Sequence, residues 1–142
     1  MNQCPQLNIL LIEDDDVAAE SVQRSLLKAG CNFPVVWAED GNVGLQVLRG
    51  TDAQRHCSSP RLILLDLNMP RLNGFEFLQQ LRDDPKLSNE VVFVLTTSDS
   101  DVDRFRAYQN HIAGYMVKSA VGPQFAKLSL LLGAYSEAVS LP

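Results

Sequence analysis

No apolar stretch in this sequence is long enough to cross a membrane. The longest, such as Leu130-Leu131-Leu132, fall far short of the roughly 20 residues a spanning helix needs. Met1 to Gln6 is polar and the apolar run after it ends in acids, so a signal peptide is not expected. Lysine and arginine form no cluster and the net charge is −5, which speaks against a nucleic-acid partner, since phosphates would go unneutralised. The three cysteines, Cys4, Cys31 and Cys57, are odd in number and include no Cys-x-x-Cys pair. That argues against a disulfide scaffold or a zinc site and suits reduced thiols in a cytoplasm. No repeat and no low-complexity segment stands out. What remains is an ordinary globular composition, 46% hydrophobic and 20% charged over 142 residues, enough for one domain with a real core.

The stretch that organises the chain is Arg61-Leu62-Ile63-Leu64-Leu65-Asp66-Leu67-Asn68-Met69-Pro70, with Gly74 just beyond. A short apolar run bounded by turn signals reads as a strand buried on both faces, as in a parallel sheet. In an open α/β sheet the ligand site lies outside the carboxyl ends of such strands, and Asp66 ends this one. The plain alternative is a strand-ending Asp that caps the following turn.

Leu7 to Ile12 is a second buried-strand pattern, and it stops abruptly at Glu13-Asp14-Asp15-Asp16. A helix follows from Val17 to Ala29, with Ala18, Val22, Leu26 and Ala29 at helical spacing and Gly30 as a stop signal. Asp15 and Asp16 suit the positive end of that helix dipole, which leaves Glu13 and Asp14 at the strand end unexplained. Val35-Val36-Trp37-Ala38 is a third strand, and Asp40-Gly41 leads into a helix carrying Gly44, Leu45 and Leu48. Residues 50–60 form a polar loop, in which His56 and Cys57 are expected to be solvated surface. After the strand ending in Asp66, a helix from Phe75 to Arg82 turns Phe77, Leu78 and Leu81 inward, and Pro85 marks its end.

Val91 to Leu95 is a fourth strand, ending in Thr96-Thr97-Ser98. Asp99, Asp101 and Asp103 resemble the start of a calcium loop, but Arg104 replaces the required glycine and Asn110 the final glutamate. They read instead as the first turn of a helix. Ala113 to Val117 is the fifth strand, ending in Lys118, and a last helix starts near Gly122 or Pro123 and runs to Ala138. Five strands alternating with five helices predict a doubly wound, flavodoxin-like α/β fold. Its five-stranded parallel sheet has the order 2-1-3-4-5. Glu13 and Asp14 then face Asp66 across the switch point, with Thr96 and Lys118 along the same edge.

Converging carboxylates repel unless one is protonated or a cation joins them. Hard oxygen ligands, few in number, favour magnesium at roughly 2.0–2.1 Å over a calcium cage. Such an ion implies a phosphoryl substrate, with Asp66 as the nucleophile that forms an acyl phosphate. Lys118 supplies a second cation and Thr96 a hydroxyl donor to a phosphoryl oxygen.

Ile12-Glu13-Asp14, Leu65 to Pro70 with Gly74, Leu95-Thr96-Thr97-Ser98 and Gly114-Tyr115-Met116-Val117-Lys118 resemble the receiver domain of bacterial response regulators. The resemblance covers residues 7–135, leaving 136–142 as a C-terminal extension. It implies that Asp66 accepts a phosphoryl group from a histidine kinase in a two-component phosphorelay. It also implies that Asp14, Asp66 and the Asn68 main-chain carbonyl hold Mg2+ directly, with Glu13 acting mainly through water. Thr96 and Tyr115 become the switch pair. The Lys118-Ser119 junction and the ending Ser140-Leu141-Pro142 are similar to small regulators that serve phytochrome-type histidine kinases. The family usually has proline, often cis, after the lysine. Here it is Ser119, for which a cis bond costs about 2.5–4 kcal/mol.

A magnesium-dependent phosphatase with an aspartate nucleophile is the alternative. It needs a second Asp two residues on as acid/base, where Asn68 stands. The phosphorylated form is therefore expected to be long-lived. That describes an acceptor promoting its own phosphorylation and slow dephosphorylation, not a turnover enzyme. A flavodoxin-like cofactor binder would want a phosphate cradle after the first strand, where this chain has four acids. With no room for an added DNA-binding domain, output is expected through a downstream protein. In the last helix Phe125, Leu128, Leu132, Tyr135 and Val139 form an inward stripe, yet Leu130, Leu131, Ala134 and Ala138 are apolar off it. Either loops and the tail cover them, or the chain is a homodimer through this helix and the tail to Pro142.

Overall fold

The computed structural model describes residues 7–28, 33–69, 72–121 and 125–142. Its centre is β3 (Arg61–Leu65), whose last four residues have no exposed surface. Parallel neighbours are β1 (Asn8–Ile12) on one side and β4 (Val91–Thr96) on the other. Beyond them lie β2 (Val35–Ala38) and β5 (Gly114–Val117), giving the expected order β2-β1-β3-β4-β5.

Side chains alternate between the two faces with period two. Leu10, Ile12, Ile63 and Leu65 meet α2 (Gly41–Arg49), α3 (Gly74–Asp83) and α4 (Asp101–Gln109) through Leu45, Phe77, Leu78 and Ala107. Ile9, Leu11, Leu62 and Leu64 meet α1 (Asp16–Lys28) and α5 (Ala126–Ala138) through Ala19, Val22, Leu26, Leu128 and Leu132. Both faces being covered is why β1 and β3 are apolar at consecutive positions.

The helix starts follow capping chemistry. Asp15 Oδ1 accepts from the amides of Val17 (2.9 Å) and Ala18 (3.4 Å), so the plain structural role holds for this acid. Asp40 caps α2, Asn73 with Glu76 forms a reciprocal capping box on α3, and Ser100 caps α4. Asp101 and Asp103 fall in the first turn of α4, as expected from the failed calcium pattern.

Several expectations shift. On α1 the buried residue is Ala19 and not Ala18, which is half-buried. Val22 and Leu26 face inward as expected, and Ala19 joins them three residues before Val22; Ala29 and Gly30 lie outside the described residues. Cys57 is 2% exposed and not solvated: the polar loop folds it into the core while Arg61 bonds its carbonyl (2.8 Å) and forks Glu90. Burial pushes the Cys57 thiol up to about 11, which makes it unreactive. The Lys118–Ser119 bond is not cis; the cis bond among the described residues is Ser59–Pro60. Lys118–Ala120 instead forms a single 3-10 turn. Val139, expected inward, is 40% exposed because α5 has ended and the chain there is extended. Gly122 and Pro123, the expected start of α5, lie outside the described residues.

Candidate functional site

Register brings the acids together. Ile12 pairs with Leu65, Leu65 with Val94, and Thr96 with Val117, so the residues that follow line one edge. Past the strand ends the ladder continues for one step: Asp66 N donates to Ile12 O (3.0 Å) and Glu13 N to Ala38 O (3.0 Å). Gly74 lets α3 begin hard against this edge. A Cβ there would lie 2.6 Å from Leu67 Cα and 2.7 Å from Asp66 O, and these are backbone atoms that cannot yield.

Oxygens of Glu13, Asp14 and Asp66 lie within 4.8 Å of one another. Glu13 and Asp66 are buried and Asp14 is exposed. Lys118 Nζ hydrogen-bonds Glu13 Oε1 and stands 3.6 Å from Asp66 Oδ2. Asp66 Oδ1 accepts from the Asn68 amide (3.2 Å). The aspartate thus caps its own loop with one oxygen and faces the lysine with the other.

One ammonium shared among three carboxylates leaves excess negative charge. Burial, reinforced by Asp66, pushes Glu13 up to about 8 despite the Lys118 contact. Burial alone would lower Lys118, but Glu13 and Asp66 together hold it above its usual range. An all-oxygen cluster with surplus charge fits a hard divalent cation. Glu13, Asp14 and Asp66 are the carboxylates able to hold it.

The other expected residues are Thr96, Asn68 and Tyr115. Thr96 is fully buried at the end of β4, its Oγ1 accepting from Ser98 N (3.4 Å). Asn68 is exposed, its side-chain amide 3.4 Å from Thr97 Oγ1. Tyr115 lies away from the carboxylates, donating its hydroxyl to Ser98 O (2.9 Å) on the loop between β4 and α4. Sequence reasoning passed over Trp37, whose indole N–H donates to Glu13 O (2.7 Å). Its signal was weak: a large ring with one donor, on a strand at the edge of the sheet.

Among the described residues no helix is long and apolar enough to cross a membrane. The sequence matches the response regulator receiver domain family over residues 9–127. It is 31% identical over 139 residues to response regulator Rcp1 of Synechocystis sp., covering 97% of this chain and 95% of that protein. Against the probable methanogenesis regulatory protein FilR2 of Methanothrix harundinacea, identity is 39% over 110 residues, covering 78% and 70%. The structure of the phosphorylated cyanobacterial phytochrome response regulator RcpA aligns with a TM-score of 0.84 at 32% identity, covering 96% of this chain and 99% of the other. The Mn(2+)-bound form of Rcp1 gives 0.81 at 32% identity, covering 97% and 99%. A five-stranded sheet in this order, with an acidic cluster facing a lysine at its carboxyl edge, and a family match over most of its length, mean that this chain belongs to the response regulator receiver domain family.

Proposed function

We propose that this chain is a phosphorelay acceptor. Asp66 takes a phosphoryl group from the phosphohistidine of a partner kinase, and the signal leaves through protein contact. The observation that carries this is the division of labour on Asp66. Oδ1 is held by the Asn68 amide, and Oδ2, facing Lys118, is left for the new bond. In the transfer Oδ2 attacks phosphorus while the P–N bond breaks. The electron pair leaves with the donor imidazole, which regains a proton from solvent. Lys118 is placed to donate to a phosphoryl oxygen, as is the Thr96 hydroxyl at the next strand end. Asp14, Asp66 and the Asn68 carbonyl, with Glu13 behind, would hold magnesium, which would supply the charge neutralisation that admits a phosphoryl group to this acidic edge.

Asn68 argues against a phosphatase, because an amide cannot act as the general acid that turnover needs. The similarity to Rcp1 and RcpA supports a phytochrome-type histidine kinase as donor and a cytoplasmic setting. Residues 7–135 act as the receiver and 136–142 as an extension, the first three of which complete α5. The exposed apolar face of α5 supports a homodimer. Incubation with a small phosphodonor and magnesium, followed by intact-mass measurement, tests the acceptor. One phosphoryl group is expected on the wild type and none on Asp66→Asn or in excess chelator. A gain in either of those controls overturns the assignment.

A further inference from the structure

The geometry points to Trp37 as a positioning residue for the divalent-cation site, acting through the peptide unit that joins Glu13 to Asp14. The inference rests on the cation reading above. Asp14 is exposed, and among the described residues no side chain or amide holds its carboxylate. Where its carboxylate can reach is therefore set by where its own backbone places Cα and Cβ. That backbone leaves β1 at Glu13, whose N–H is fixed to Ala38 O (3.0 Å) and whose carbonyl is fixed by Trp37 Nε1 (2.7 Å). A peptide unit is planar, so holding the Glu13 carbonyl also sets the Asp14 N–H and Cα. Both bonds come from β2, which locks the acidic turn to the sheet edge.

Trp37 is itself held from two sides. Its ring lies half-buried against the core face shared with α1 and α5, in register with Leu11. Its carbonyl accepts from Arg55 Nη1 (3.1 Å), and that guanidinium is anchored on Glu39 (2.6 Å) and Asp52 (3.5 Å). A donor so fixed cannot follow the turn if the turn moves. Partners that orient metal ligands without touching the metal typically matter 10–100-fold in affinity, and a single neutral hydrogen bond belongs at the lower end.

The experiment titrates Mg2+ into chelator-stripped full-length protein by calorimetry, for wild type, Trp37→Phe and Asp14→Asn. Phenylalanine keeps an aromatic ring on the same core face and removes the N–H together with the fused pyrrole. Trp37→Phe is expected to bind Mg2+ about tenfold more weakly, with its urea midpoint in chelator nearly unchanged and its phosphorylation restored by excess Mg2+. Trp37 is the sole tryptophan, so wild-type emission reports the surroundings of this one indole and does not depend on a variant folding. Emission is expected to change along the calorimetric Mg2+ isotherm. Unchanged affinity in Trp37→Phe, or emission indifferent to a cation that calorimetry shows bound, overturns the inference. Absence of Mg2+ binding by the wild type overturns the cation reading itself.

Discussion

The ammonium of Lys118 hydrogen-bonds Glu13 and stands 3.6 Å from Asp66 Oδ2. The lysine that chemistry would aim at a phosphoryl group is thus engaged with a buried carboxylate behind the acceptor. Asp66 Oδ2 lies just beyond hydrogen-bond reach of it, where an incoming phosphoryl oxygen can compete for the ammonium.

This arrangement makes stability depend on pH. Glu13 has a folded-state value of about 8 against an ordinary 4.5. Between those limits the folded chain binds more protons than the unfolded one, so stability falls as pH rises through the window. Lys118 is raised above 10.5, and its contribution is lost only at higher pH still. In chelator, urea midpoints are expected to drop from pH 5.5 to pH 8, and Glu13→Gln to flatten that slope. A wild-type midpoint that stays level or climbs across the window counts against a protonated Glu13.

The proposed switch joins Thr96 to Tyr115 through the loop between them. Tyr115 already donates to Ser98 O, two residues past Thr96. Phosphorylation is then expected to favour an arrangement that exists beforehand, drawing Thr96 toward the new charge and letting the Tyr115 ring settle further in. Thr96→Ala should remain phosphorylatable on Asp66 but lose the change in amide-exchange protection over residues 97–103. Equal protection changes in wild type and Thr96→Ala would remove Thr96 from the switch.

Where the sequence was legible, one physical signal dominated. The unbroken apolar runs of β1 and β3 exist because both sheet faces are covered, and each run stops where the edge begins. Glu13, Asp14, Asp66, Thr96 and Lys118 could therefore be placed on that edge from strand ends alone. What sequence could not show was which groups pair there. Lys118 turns to Glu13, and Trp37 reaches across from β2, because side-chain direction at a strand end is set by neighbours distant in sequence. The burial of Cys57 has the same cause: its loop looks polar locally, and only the fold shows the core beneath it. Val139 failed in the opposite sense, since helical spacing was carried one residue past the end of the helix.

Arg82 is a further contact that no pattern announces. Its guanidinium donates to four carbonyls: Asn110 (2.8 Å), Ser88 (2.8 Å), Glu90 (2.8 Å) and His111 (2.9 Å). It ties the loop after α3 to the turn after α4, at the end of the sheet away from the carboxylates. Lysine cannot reproduce the fork. Arg82→Lys is expected to lower stability by about 2–3 kcal/mol, from several part-buried carbonyls losing a donor, with Asp66 still phosphorylated. A urea midpoint within error of wild type would show that water replaces these bonds freely.

The last expectation concerns the surface of α5. Leu128 and Leu132 are fully buried, while Leu130 is 73% and Leu131 39% exposed, and Ala134 and Ala138 are open beside them. No charged residue occurs between Lys127 and Glu137, although a solvent-facing helix side ordinarily carries several. The tail does not cover this face. Leu141 is half-buried against the core cluster on the α1 and α5 side of the sheet, and Ser136 to Leu141 line a cleft with Leu7 and Pro60. Among the described residues nothing covers this apolar face, and such a face is better matched by a second copy than by water. Light scattering at roughly tens of micromolar, where a micromolar dimer is well populated, is expected to give twice the chain mass. Leu130→Glu is expected to return it to the monomer mass with little loss of stability, because Leu130 is outside the core. A monomer mass for the wild type in both free and phosphorylated forms rules the homodimer out.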